Sequence, residues 1–228
     1  MGGRGQFSAT HGGVSGSIGG GGGEYVPKTT ESREDIRELF INQLGFKELY
    51  GTDKIGTAQM SAIAQEFQKL EREHHVLRDK EVYLTTTNKA RVLGSFQKMN
   101  DGSYLIRLNT KAHNDVGGKV SSQKKQEKSG FKTKTDGKIT SDYSYTVRHE
   151  YGHARQYAIT EKTGKSASQI RNEVQDIAKK SYNTKKSPSG YGKKNEYEYF
   201  AESFASMTGG APNGNGKALK KWLKDNNL

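Results

Sequence analysis

The spacing of apolar residues changes twice along the chain, and no other feature restricts the fold as much. From Ser32 to Phe46, the residues Ile36, Leu39, Phe40 and Leu44 recur at helical intervals behind Ser32-x-x-Asp35, which has the form of a capping box with Asp in the Glu position. A second helix is expected from Thr57 to about Leu77, with Met60, Ile63, Ala64, Phe67 and Leu70 on one stripe. The period then shortens. Val82–Thr87, Arg91–Phe96 and Tyr104–Leu108 are rich in β-branched and aromatic residues, and Asn100-Asp101-Gly102 supplies a turn signal between the last two. Three short strands in a small antiparallel sheet are expected. Residues 111–140 read as a long loop with a weak hairpin around Asp136. Helical patterns return over 142–163, 166–182, 195–207 and 217–226, and Asp142 falls in the N-cap region of the first of these. The fold class is therefore α+β, with helices on either side of a small sheet.

Composition limits the rest. Eleven of the first 23 residues are glycine, so ordering them costs entropy that no apolar burial offsets. A flexible leader over residues 1–28 and one domain over 29–228 are expected. The absence of cysteine excludes disulfides, thiolate catalysis, iron–sulfur clusters and Cys-ligated zinc, so any metal must be held by His and carboxylates. No window approaches the ~18 consecutive apolar residues of a membrane span, and the leader lacks a secretory hydrophobic core. The expectation is a soluble protein. The net charge of +12 is concentrated, because residues 111–140 carry +5 and residues 179–194 carry +6. Solvated lysine-rich loops are the simplest reading, with contact to nucleic acid or an acidic surface as the alternative.

His149-Glu150-Tyr151-Gly152-His153 has the pattern HExxH. On a helix, residues four apart share a face, so two imidazoles can hold one metal while Glu150 faces the water that the metal activates. A third protein ligand is needed. No histidine follows His153, which excludes a three-histidine site. Glu198 and Glu202 lie one turn apart in the stretch Asn195 to Phe204, a pairing that suits one ligating carboxylate and one that accepts the outer N–H of a ligating imidazole. Which of the two ligates is left open by the residues themselves.

Taken with Ser189-Gly190-Tyr191-Gly192 and Asn195-Glu196-Tyr197-Glu198-Tyr199-Phe200-Ala201-Glu202-Ser203-Phe204, the HEYGH segment resembles the catalytic domain of the anthrax toxin lethal factor and its peptidase relatives. In that family a Tyr-Gly segment leads into an Asn-Glu-x-Glu-Phe-Phe-Ala-Glu-x-Phe helix. The separations from the second histidine to the tyrosine and to the glutamate, 38 and 45 residues here, look the same. The likeness covers about residues 140–210. It implies a helical zincin-like metallopeptidase domain binding one Zn2+ through His149, His153 and Glu198, with Glu150 as general base and Tyr191 stabilising the tetrahedral intermediate. Glu202 would support a ligand from behind, and the substrate would be a protein or peptide. The chain departs from the family at Tyr151 and Tyr199, where the toxin has phenylalanine. Nothing before about residue 110 resembles the toxin's receptor-binding or translocating parts, so no toxin role is carried over.

Other features carry less. Eight of the twelve tyrosines fall between Tyr143 and Tyr199 and are expected mainly to pack helices beside a polar cleft. His74-His75 should end a solvent-facing helix, and His11 lies in the leader. Trp222 and Leu223 among lysines read as a short amphipathic helix docked on the domain, with a membrane-surface or nucleic-acid contact as the alternative. The MGGRG start resembles leaders of proteins encoded near phage head-assembly genes, which makes a virion or a host cytoplasm the expected setting. Two further readings stand beside the peptidase: a metallopeptidase fold with little turnover serving as a virion or interaction protein, and a peptidase that clips a repressor in a mobile element.

Overall fold

The computed structural model describes residues 32–78, 80–89, 92–111, 125, 128–130, 139–184, 186–210 and 212–228, with backbone alone over 139–143. The glycine-rich leader and most of the lysine-rich segment 111–140 lie outside the described residues.

The chain is α+β, as the change of period implies. Helix α1, Arg33–Glu38, opens on the expected box: the Ser32 hydroxyl accepts from Asp35 N–H while the Asp35 carboxylate accepts from Ser32 N–H. It runs into a π-helical turn, Leu39–Gln43, and stops at Gly45, whose φ of 72° belongs to the left-handed region. The residues after Gly45 form strand β1, Phe46–Tyr50, which the helical stripe concealed. Phe46 is thus a strand residue, and its ring meets Phe40 and Phe67 edge-to-face at centroid distances of 5.1 and 5.2 Å.

Helix α2, Thr57–His74, is the crossover from β1 to strand β2, Val82–Thr87, and the two strands are parallel, as such a connection requires. Strand β3, Gly94–Lys98, and strand β4, Tyr104–Asn109, form the hairpin marked by Asn100-Asp101-Gly102. The sheet order is β1-β2-β4-β3, so β4 pairs in parallel with β2 and β3 takes the edge opposite β1. The antiparallel sheet expected from sequence is therefore a mixed one in which β3–β4 alone is antiparallel. Hairpin signals reveal local pairing and say nothing about the long connection through α2.

Helix α3, Ile139–Thr163, begins before Asp142, which lies inside the helix rather than at its cap, and ends at Gly164 with φ of 69°. Helix α4, Ala167–Tyr182, starts from a Ser166–Gln169 capping box. A 3-10 turn, Tyr191–Lys193, leads into helix α5, Glu196–Thr208, capped by the Asn195 carboxamide. Helix α6, Gly214–Asp225, closes the chain. Among the described residues no helix is long and apolar enough to cross a membrane.

One hydrophobic core extends from Ile36 to Leu223, and α3 runs through it against α2, β3 and α5. Two polar ties to α2 fix its rotation. Arg148 Nε donates to Glu66 at 2.7 Å in a buried ion pair, and the Tyr151 hydroxyl donates to the Glu71 carboxylate, also at 2.7 Å. The same carboxylate caps the end of α2 by accepting from Val76 and Leu77 N–H. On the α5 side, a Cβ at Gly152 would stand 3.0 Å from Ala201 Cα, so this glycine lets the two helices meet at backbone distance. His74 departs from expectation. The helix does end there, yet the His74 ring turns inward onto Phe204, 5.0 Å away, and burial with nearby Arg155 and His75 lowers its pKa to about 4.

Candidate metal centre

The two histidines of the HExxH pattern occupy successive turns of α3 and face the start of α5. His149 Nε2 lies 3.1 Å from Glu198 Oε2 and 3.2 Å from His153 Nε2, and His153 Nε2 lies 3.6 Å from Glu198 Oε2. A tetrahedral ion with bonds of about 2.05 Å places its ligand atoms about 3.3 Å apart. The three observed separations bracket that edge. His149, His153 and Glu198 form the group of histidine and carboxylate side chains found among the described residues that could hold a metal ion.

The two carboxylates meet different nitrogens of His149. Nδ1 lies 3.1 Å from Glu202 Oε1, so an N–H there donates to Glu202 and turns Nε2 toward His153 and Glu198. Glu202 is fully buried, and its Oε1 also accepts from the Tyr145 hydroxyl. Burial works against its charge, but His149, Ser189 and Tyr145 outweigh it and bring the carboxyl down to about 2. Burial likewise opposes ionisation of Glu198, and the two imidazoles hold its pKa well below the usual range. Around His149, burial is again overridden, and hydrogen bonds to Glu198 and Glu202 raise the imidazole to about 10 in the metal-free protein. A cation bound at Nε2 would compete with a proton for this imidazole.

Two further groups flank the cluster. Glu150 is buried on the sheet side, where desolvation raises its pKa and the Phe96 backbone N–H of edge strand β3 donates to it. The approach is close: a Cβ at Gly94 would lie 2.9 Å from Glu150 Oε1 and 2.8 Å from Thr146 Cγ2. Opposite, Tyr191 hydrogen-bonds Glu198, and burial followed by the Glu198 and Glu150 charges raises its phenol. Its ring stands 5.7 Å from His149, and Lys194 Nζ lies 3.9 Å from the ring centroid. Three carboxylates, Glu150, Glu198 and Glu202, converge here around two imidazoles, a set of donors that a divalent ion would suit.

Every site residue read from the sequence is in this cluster: His149, Glu150, His153, Tyr191, Glu198 and Glu202. The tyrosines that depart from phenylalanine lie outside it. Tyr151 donates to the Glu71 carboxylate that caps α2, and the Tyr199 hydroxyl donates to Asn215 at 2.6 Å, tying α5 to α6. Sequence reasoning missed Tyr145, Ser189 and the Phe96 amide. Tyr145 was accessible, since it precedes His149 by four residues and so shares its face of α3. Phe96 was not, because nothing local indicates which amide of an edge strand will face a carboxylate. Comparison with protein-family models, curated proteins and solved structures finds no match to the chain.

Proposed function

We propose that the protein is a zinc-dependent metalloendopeptidase of zincin-like fold. The observation that carries this reading is the triangle of donor atoms, with edges of 3.1, 3.2 and 3.6 Å, flanked by a carboxylate on one side and a phenol on the other. Two imidazoles and one carboxylate suit zinc better than calcium or magnesium, which prefer all-oxygen sites. His149, His153 and Glu198 would hold the ion, leaving a fourth position open. When bound there, the ion supplies Lewis acidity, acidifying water and polarising a carbonyl.

The chain's own residues supply the rest. Glu202, with Tyr145 and Ser189 behind it, orients His149 so that its Nε2 would face the ion. Glu150 has the position and the upward-shifted basicity to take a proton from the nucleophile and return it to the leaving amine. Tyr191 remains a protonated donor across the physiological range, as a group stabilising a developing oxyanion must. The β3 edge lies beside Glu150, and an extended peptide can add to it through main-chain hydrogen bonds, which makes peptides the substrate class that fits.

Glu150→Gln provides the test. The purified variant should bind one zinc per chain, by elemental analysis, and lose chelator-sensitive cleavage of a peptide library. Turnover at the wild-type rate in that variant rules out the mechanism.

A further inference from the structure

Helix α6 presents Lys217, Lys220, Lys221 and Lys224 at positions i, i+3, i+4 and i+7, all exposed along one face. Its other face is used up inside the protein. Ala218, Leu219, Trp222 and Leu223 are buried, and the Trp222 indole N–H donates to Glu173 at 2.7 Å. No apolar surface of this helix is left to enter a lipid layer, which removes the membrane-surface alternative. The lysines line an open groove of ≈ 350 Å³, completed by Asp225 and by Tyr182 from the last turn of α4. Tyr182 is 36% exposed, one of the few large hydrophobic side chains of the described residues that face solvent. Among the described residues Lys221 pairs with a carboxylate, Asp225 at 2.8 Å, and the other three lysines form no ion pair. Like charges three and four residues apart weaken a helix, so the row carries a cost that a polyanion would relieve.

We propose that this groove binds single-stranded nucleic acid, with phosphates along the lysine row and a base against Tyr182. The row extends about 10 Å at ~1.5 Å per residue. Ammonium groups on flexible stems act as point charges that suit phosphates. A cationic track with an aromatic ring beside it is how single strands are held with little regard to sequence. An acidic protein would satisfy the lysines but would give the exposed ring no particular partner. None of the metal-centre residues lines the groove, so this assignment is independent of the peptidase reading.

The test is anisotropy of a fluorescein-labelled oligothymidylate titrated with the full-length protein from about 50 to 200 mM salt. At ~0.7 per neutralised phosphate and three to four lysines engaged, the log–log salt slope should be about −2 to −3. K217Q/K220Q/K221Q/K224Q should flatten the slope by that amount and weaken binding at least tenfold. Glutamine is a good helix former, and an unchanged circular dichroism melt will show that the variant is folded. The control K47Q/K54Q/K89Q/K162Q loses equal charge elsewhere and should bind as wild type does. Tyr182→Ala should cost about tenfold in affinity with the slope unchanged, because stacking is not ionic. Wild-type affinity in the quadruple groove variant overturns the proposal, as does a Tyr182→Ala variant that binds normally. A polyglutamate peptide that displaces the label as well as unlabelled oligonucleotide assigns the groove to acidic protein instead.

Discussion

Replacing Glu202 should weaken metal binding without removing a ligand, and the size of the effect can be worked from its contacts. Its Oε1 accepts from His149 Nδ1–H at 3.1 Å and from the Tyr145 hydroxyl, and Ser189 adds a third hydrogen bond. Glu202→Gln keeps a carbonyl oxygen where Oε1 lies, so the contacts with His149 and Tyr145 survive as neutral hydrogen bonds. The amide NH2 then meets Ser189, whose hydroxyl can rotate to accept. What is lost is the charge assistance, roughly half the strength of the bond, or about 1 kcal/mol. Zinc affinity should fall by about fivefold to tenfold. Glu202→Ala removes the acceptor altogether, taking it from three buried donors, and should cost toward the upper end of the 10- to 100-fold range for lost outer partners. The assay is competition titration against a chromophoric chelator at fixed pH, with Glu198→Gln alongside. If Glu202→Ala binds zinc as tightly as wild type, the reasoning about His149 is wrong. If Glu202→Gln abolishes binding while Glu198→Gln preserves it, the two carboxylates have been assigned in the wrong order.

Other consequences follow from single contacts. Tyr191→Phe removes one donor to a developing oxyanion and should lower kcat by on the order of 10²–10³ while leaving zinc content at one per chain, checked by steady-state kinetics and elemental analysis. Gly94→Ala puts a methyl group within 2.9 Å of Glu150 Oε1 and 3.1 Å of the Arg107 carbonyl oxygen, so turnover should fall by at least tenfold with metal affinity nearly unchanged. Burial, Arg155 and His75 depress His74 from its ordinary 6.5 to about 4. The unfolded chain therefore takes up a proton that the folded chain refuses, and the stability present above pH 6.5 is lost as pH falls through about 4, by at most ~3 kcal/mol. His74→Phe, which keeps the ring on Phe204, should flatten that part of the stability–pH curve in urea titrations. Parallel curves for the two proteins would refute it.

Much of the site was legible because its residues obey helical geometry. His149 and His153 share a face by their spacing alone, and Glu198 and Glu202 fall one turn apart whatever the fold around them. Their division of labour was not legible, since it depends on which imidazole nitrogen each carboxylate reaches across the α3–α5 interface. The capping box at Ser32 is local and was visible. Strand β1 was hidden because Phe46 continues the apolar spacing of the helix before it, and the break rests on one glycine, Gly45. The parallel pairing of β2 with β1 and β4 was beyond local signals, as register between strands distant in sequence comes from tertiary packing. Gly152 and Gly94 read as ordinary residues until the close approach of α5 and of Glu150 shows why a side chain is excluded there.

The central claim is that two imidazoles and Glu198 share one zinc ion and leave it a free position. The direct measurement is a crystal structure of the zinc-loaded protein with data collected on either side of the zinc absorption edge. The account predicts a single strong anomalous peak about 2.0–2.2 Å from His149 Nε2, His153 Nε2 and a Glu198 oxygen, with Glu202 on His149 Nδ1 and solvent at the fourth position. A peak located elsewhere, a site closed by Glu202 as a fourth protein ligand, or no bound zinc at stoichiometric supply would contradict it.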